Sequence, residues 1–393
     1  MLPLDISQKG NERMTILIVD DNQVNLFVIE KILKRAGYTD FLSLTSAVEM
    51  FEYLQVDSPQ PKETSVDIIL LDIMMPEIDG IEACRRLQSI PHLRDIPVIF
   101  VTALEDSNKV AEALDVGGID YIMKPINKID LLARIRVGLR LKYEKDWHKM
   151  QDEKIRNELD LSMQVQSSLL SEPIINDHLT IRASYLPANK LAGDMYYWHR
   201  IDENRYGIIL LDMMGHGISA SLVCMFISSV LRDAIRTHSD PVSVINEMNR
   251  WMSTLNKDDN QVHYYFTAIY MIIDTEQKTV EYVNAGHPPG FALMDDGKVV
   301  SLSKGTCPVG FFTEMKIEKS VIHYEEKIQL MLFTDGVMEA IDREGTEGLD
   351  QIKEAVSTRW FDCKESPPID FLMSPEMQQD QPDDMCVVVI QAN

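Results

Sequence analysis

VDIILLDIMMPEIDG, residues 66–80, decides the fold of the N-terminal third of the chain. Between Val66 and Leu71 the only polar residue is Asp67, so a strand built here is covered on both faces; Asp72 ends it, and Pro76 and Gly80 mark the turn that follows. Working outward, ILIVD (16–20) precedes this run, and PVIFVTA (97–103) and IDYIMKPI (119–126) come after it. VNLFVIEKILKRAG (24–37) carries a helical pattern between the first two strands. Strands alternating with helices, with the strands continuously apolar, predict an α/β fold with a doubly wound parallel sheet. In such a sheet functional groups gather at the carboxyl ends of the strands.

The polar residues sit at those ends. Asp20 and Asp21 close the first strand, Asp72 closes another, Thr102 follows VIFV, and Lys124 follows YIM just before Pro125. A carboxylate triad can hold Mg²⁺ through oxygen ligands, while an ammonium and a hydroxyl can meet the oxygens of an arriving phosphoryl group. The central carboxylate can then act as nucleophile. Taken singly, each residue has a plain reading as a strand-end or turn residue; the ordered set is far more specific.

With DD, LDIMMPEIDG, VTA and KP in this order, residues 14–137 resemble a response-regulator receiver domain, flavodoxin-like in fold. The resemblance implies Asp72 as phosphoacceptor, Asp20 and Asp21 as acids around one Mg²⁺, and Thr102 and Lys124 as phosphoryl contacts. Tyr121 falls where receivers carry an aromatic switch, although an amphipathic ring at a sheet edge explains it equally well.

At 393 residues the chain is long enough for two or three domains, and 45% apolar with 25% charged residues is a globular balance. A net charge of −24 argues against partners held by phosphate contacts, so DNA binding is not expected. The acidic excess serves solubility, with a few carboxylates left to hold cations. Cys84, Cys224, Cys307, Cys363 and Cys386 are scattered and form no CxxC pair, which excludes a disulfide framework or zinc knuckle and fits a cytoplasmic setting. No apolar run is expected to reach the roughly 20 residues that span a bilayer. Residues 1–13 lack the order of a signal peptide and read as a flexible leader.

Residues 138–170 are rich in helix formers and contain one glycine at their start, predicting a helical linker. Ile155, Leu159, Met163, Leu169 and Leu170 suggest an apolar stripe, too short in strict heptads to establish a coiled coil; a homodimer through this linker is a hypothesis. ELDLSMQVQSSLL (158–170) resembles the entry helix of bacterial regulatory phosphatases of the sporulation and stress type, the alternative being a solvated linker.

From about Leu179 the chain becomes strand-rich. RYGIILLDMM (205–214), HYYFTAIYMIID (263–274), TVEYVNAG (279–286), IQLMLFTDG (328–336) and MCVVVIQAN (385–393) are candidate strands, with helices over 219–238 and 241–255. A layered α/β/β/α body over 171–393 is expected. Asp194, Asp212, Asp335 and the pair Asp383–Asp384 each lie where a strand meets a small-residue turn, and glycines such as Gly193 let the backbone approach an ion. Oxygen ligands without a histidine or thiolate cage select Mg²⁺ or Mn²⁺ over zinc. One such acid alone is an ordinary turn; together they suggest two ions sharing a carboxylate and activating water.

AGDMYY, LDMMGHG, VNAGHPPG, LFTDGVMEA and DDMCVVVI occur in the order seen in metal-dependent protein phosphatases of the PPM or type 2C family, in their bacterial sporulation and stress branch; the likeness covers nearly all of 155–393. It implies Asp212 bridging two Mn²⁺ or Mg²⁺ ions, the Met213 carbonyl as a further ligand, Asp194 reaching one ion, and Asp335 with Asp383 holding the other. Register does not decide between Asp383 and Asp384; Asp383 is favoured. His216 is a candidate for proton transfer, with a buried loop histidine making local hydrogen bonds the stronger reading, and His287 likewise reads as structural. Met213, Met214 and Met225 read as core filler. Ala192, Tyr197 and Cys386 depart from the branch's usual glycine, acid and threonine without removing a ligand.

The combination implies a phosphorylation-controlled protein serine/threonine phosphatase that hydrolyses phosphoserine or phosphothreonine without a covalent enzyme intermediate. By the resemblance, its substrate is a STAS-domain anti-sigma-factor antagonist in a stress or developmental pathway, and a sensor histidine kinase supplies the phosphoryl group at Asp72. The main rival is a phospho-dependent binding adaptor with an inactive phosphatase fold, against which the retained acids speak. A receiver-linked transcription factor lacks a basic recognition helix.

Overall fold

The computed structural model describes residues 14–58, 64–103, 107–257, 263–342, 348–358, 366–379 and 381–393, so the expected leader and Cys363 lie outside the described residues. The chain divides into two compact units, Met1–Ile155 and Arg156–Asn393.

In the first unit β1 (Thr15–Val19), α1 (Gln23–Arg35), β2 (Phe41–Leu44), α2 (Ala47–Tyr53), β3 (Val66–Asp72), α3 (Gly80–Ser89), β4 (Val98–Thr102), α4 (Ser107–Asp115) and β5 (Asp120–Met123) alternate before α5 (Lys128–Ser167). The sheet has strand order β2-β1-β3-β4-β5 and is parallel throughout. Ile16, Ile18, Ile68, Leu70, Ile99 and Val101 face one core with α1 and α5, whereas Leu17, Ile69, Leu71, Val98 and Phe100 face the other with α2 and α3. That two-sided burial is the reason these strands carry no polar alternation. Side-chain caps set the helix starts: Asn22 accepts from the Val24 N–H, Ser46 from Glu49 and Asp79 from Glu82.

α5 is continuous from Lys128 to Ser167. Its first turns contribute Leu131, Ile135 and Leu139 to the core of the first unit, so the helix begins ten residues before the linker start expected at 138.

The second unit continues with β6 (Ile174–Ile175), β7 (Leu179–Leu186), β8 (Met195–Arg200), β9 (Arg205–Met213), α6 (Ile218–Thr237), α7 (Pro241–Leu255), β10 (Phe266–Asp274) and β11 (Thr279–Ala285). It ends with β12 (Gly290–Met294), β13 (Val299–Leu302), β14 (Gly305–Thr306), β15 (Ser320–His323), β16 (Ile328–Phe333), α8 (Asp335–Ile341), α9 (Gly348–Thr358) and β17 (Met385–Ala392). One sheet runs β14-β11-β10-β9-β8 with β15 on β11; the other runs β13-β12-β16-β17-β7-β6. Ile208, Leu210, Ile269, Met271, Leu330, Val388 and Ile390 fill the space between the sheets. α6 and α7 cover the outer face of the first sheet, and α8 and α9 that of the second. The layers are therefore α/β/β/α, with more strands than the five candidates read from the sequence, β7 and β12 inside their sheet among them.

One expectation is corrected. α6 spans 20 residues with a mean hydropathy of 1.6, enough by length and composition to cross a membrane. Half of it is buried, and Val223, Cys224, Ile227 and Leu231 pack on the first sheet, so its apolarity is that of a core helix.

Candidate functional site

In the first unit, the carboxyl ends of β1, β3, β4 and β5 bring the expected residues to one rim. Lys124 Nζ lies 2.9 Å from Asp20 Oδ2 and 2.9 Å from Asp72 Oδ2. Asn25 Nδ2 donates to both oxygens of Asp20, and the Asn22 N–H donates to one of them. Burial pushes the Asp72 carboxyl above its usual range, and the Lys124 ammonium opposes that shift. Asp20, Asp21 and Asp72 offer oxygens all within 4.8 Å of one another, a geometry that suits one hard cation. Thr102 is fully buried at the end of β4, and its carbonyl accepts from the Lys124 N–H. Tyr121 is half-buried on β5 with the Arg134 guanidinium 5.7 Å from its ring centre. A Cβ on Gly80 would stand 2.1 Å from the Asp72 carbonyl oxygen, which is why the turn after Asp72 closes on a glycine.

In the second unit, Asp194 and Asp212 come from one sheet and Asp335, Asp383 and Asp384 from the other. Asp194 immediately precedes β8 and Asp212 sits near the end of β9; the pairing of Met195 with Leu211 makes them neighbours. Asp335 opens α8 just after β16, and Asp383–Asp384 immediately precede β17, which pairs with β16. Asp194 is in hydrogen-bonding reach of Asp212, and Asp212 of Asp335. Burial and then the Asp335 and Asp383 charges push Asp212 up to about 8. Burial and then Asp212 push Asp194 well above the carboxylate range, and burial and then Asp383 raise Asp335. Asp194 Oδ2 is buried without a partner. Carboxylates gathered at hydrogen-bonding distance, one with an orphaned oxygen, fit cations rather than each other. Among the described residues the only tight triple is the one in the first unit. The second set is strung out from Asp194 through Asp212 to Asp335 and Asp383, which suits two ions sharing a central carboxylate.

Asp384 is engaged differently from Asp383. Its two oxygens accept the Ala188 N–H at 2.8 Å and the Gly193 N–H at 2.7 Å, so it ties the strand-entry segment to the 188–193 loop. A Cβ on Gly193 would approach the carbonyls of Gly215 and Met213 at 3.0 and 3.2 Å, so the expected Met213 carbonyl does face the Asp194 loop. His216 is exposed. His287 is buried, with Nδ1 2.8 Å from Thr267 Oγ1 and its backbone N–H bonded to Asn284, and burial lowers its pKa to about 3. Met213 is buried and Met214 and Met225 are half-buried.

Sequence reasoning passed over two residues at this site. Thr334 hydrogen-bonds the Asp194 side chain and accepts the Cys386 N–H, a position visible beside Asp335 in FTDG. Gln166, on α5, pairs with Ala192; it lies in ELDLSMQVQSSLL, whose likeness to a phosphatase entry helix marks the segment but not the pairing, because a glutamine in a helix reads as solvated.

Residues 16–136 match the response regulator receiver domain, and residues 202–393 match stage II sporulation protein E. The chain joins a receiver domain to a SpoIIE domain. Asp194 lies just before the SpoIIE match, whereas Asp212, Asp335 and Asp383 lie inside it. Phosphoserine phosphatase RsbP of Bacillus subtilis (strain 168) is 40% identical over 184 residues, 47% of this chain and 46% of that protein. Transcriptional regulatory protein YvrH of the same strain is 36% identical over 133 residues, 34% of this chain and 52% of that protein. The chain thus spans about half the length of these curated relatives. The SiaA-PP2C domain of Pseudomonas aeruginosa aligns with a TM-score of 0.50 at 17% identity, over 62% of this chain and 99% of that one, and supports the fold of the SpoIIE domain.

Proposed function

We propose that the chain is a metal-dependent protein serine/threonine phosphatase controlled by phosphorylation of its receiver domain at Asp72. The observation that carries this reading is the row Asp194, Asp212, Asp335 and Asp383, whose central member is pushed up to about 8 by burial and by carboxylates. The 40% identity to a phosphoserine phosphatase over 184 residues supports it.

In this reading Asp194, Asp212, the Met213 carbonyl, Asp335 and Asp383 would hold two Mn²⁺ or Mg²⁺ ions, Asp194 and the Met213 carbonyl serving one side of Asp212 and Asp335 and Asp383 the other. When bound, the ions supply an activated water and offset the charge of the phosphate under attack. Asp384 holds the backbone at Ala188 and Gly193 so that Asp194 is presented from a fixed loop. His216 sits beside the acids at the surface and His287 is a structural residue of the β10–β11 region.

In the receiver, Asp20, Asp21 and Asp72 would hold one Mg²⁺, Thr102 and Lys124 would meet the phosphoryl oxygens, and Tyr121 would serve as the switch ring. Lys124 already bridges Asp20 and Asp72, so an arriving phosphoryl group finds a cation in place. A sensor histidine kinase is the donor, and the substrate is a phosphorylated STAS-domain anti-sigma-factor antagonist of a stress or developmental pathway in the cytoplasm. Exposed Trp147, Met150, Leu161 and Val165 along α5 support a homodimer through the connector.

The test is Mn²⁺-dependent phosphate release from a phosphorylated STAS-domain protein by wild type and Asp212→Ala. Release by wild type and loss of at least a hundredfold in the variant is expected. No release by wild type, even with Asp72 phosphorylated, would favour a binding role instead.

A further inference from the structure

The 188–194 loop is fixed from three directions, and one of them is the connector. Asp384 takes the Ala188 and Gly193 N–H groups from the side of β17. The Tyr185 hydroxyl donates to the Asp194 carbonyl at 3.1 Å from β7. From α5, the Gln166 side chain, only 6% exposed, donates Nε2–H to the Ala192 carbonyl at 2.7 Å and accepts the Ala192 N–H on Oε1 at 3.2 Å. A primary amide meeting both polar groups of one residue copies a strand pairing, and it fixes that residue in position and orientation together. Ala192 is fully buried and stands two residues before Asp194.

We propose that Gln166 is a positioning residue for the metal site: the last turn of the connector helix sets Asp194 through the amide pair with Ala192. The proposal rests on the reading of Asp194 as a metal-side acid. A glutamine here has no bond to any ion, so its effect passes through the backbone of Ala192 and Gly193. Removing its two hydrogen bonds leaves the Ala192 N–H and C=O unpaired inside the protein and frees the loop to shift. Groups that orient metal ligands from behind commonly change metal affinity about 10–100-fold, and one step further out about tenfold is expected.

A matched control is present a few residues on. Ser171 Oγ accepts the Trp198 N–H at 2.9 Å and donates to the Trp198 carbonyl at 3.1 Å, the same two-point grip on a peptide, but on β8 away from the acids. Ser171→Ala therefore removes a comparable structural contact without touching the Asp194 loop.

The experiment is calorimetric titration of Mn²⁺ into the full chain for wild type, Gln166→Met, Ser171→Ala and Asp212→Ala, with the Tm of each recorded in the absence of metal. Gln166→Met is expected to weaken Mn²⁺ binding about tenfold, while Ser171→Ala lowers Tm similarly and binds Mn²⁺ as wild type does. Equal Mn²⁺ affinity in Gln166→Met and Ser171→Ala would overturn the proposal while leaving the metal site standing. Absence of Mn²⁺ binding in wild type would overturn the metal site and the proposal with it. If Gln166→Met does not fold, Gln166→Glu takes its place, because it keeps the acceptor for the Ala192 N–H and loses only the donor.

Discussion

Asp383 and Asp384 are adjacent in sequence and opposite in employment. Asp384→Ala strands the buried Gly193 N–H and the half-buried Ala188 N–H, so it is expected to destabilise the SpoIIE domain by about 1–4 kcal/mol, read as a lower Tm without metal. Asp383→Ala is expected to leave the metal-free Tm unchanged or raised and to abolish tight Mn²⁺ binding; the reverse pattern would exchange their roles. Asp212 gives a pH test. Its folded pKa of about 8 lies above its ordinary value near 4, so the folded state holds a proton that the unfolded state releases. The associated stability is complete below about pH 4 and is lost as pH rises through 8. Metal-free wild type is therefore expected to lose more Tm than Asp212→Asn between pH 5 and pH 8, and an identical loss would contradict the crowding of these acids. Mn²⁺ must displace that proton, so at pH 7 the binding heat should vary with the ionisation heat of the buffer.

Individual elements differ in how well the sequence announces them. β1, β3 and β4 were legible because double-sided burial writes an uninterrupted apolar run. β2 was not, since its four residues are all half-buried and short. In the SpoIIE domain β9, β10, β16 and β17 sit between the sheets' helical and inner layers and could be read. The edge strands β13, β14 and β15 have two to four residues and mix polar with apolar positions, so pattern alone cannot separate them from loops. The acids at strand ends were recognisable from their turns, whereas Gln166 matters only through a long-range pairing that no local pattern encodes. α6 illustrates how tertiary packing sorts an apolar helix. Ile227→Ala, at a fully buried position, is expected to cost about 2–5 kcal/mol, while Leu222→Ala, 61% exposed, should stay within about 0.5 kcal/mol; comparable losses in chemical denaturation would contradict the packing of α6 on its sheet.

At the scale of the whole molecule, the two domains share one uninterrupted helix, which starts in the receiver core and ends hydrogen-bonded to the loop that carries Asp194. A phosphoryl group at Asp72 adds charge and acceptor oxygens beside Lys124, and such a change can bias a two-state element. Under the proposed function, phosphorylation is expected to raise phosphatase activity, and α5 is the covalent route available to that signal. The most direct measurement is the rate of Mn²⁺-dependent dephosphorylation of a phosphoserine protein by the full chain, with and without beryllofluoride as a phosphoryl mimic, in wild type and Asp72→Ala. A rise of at least tenfold in wild type and none in Asp72→Ala is the expected result, and equal rates with and without the mimic in wild type would contradict control of the phosphatase by its receiver.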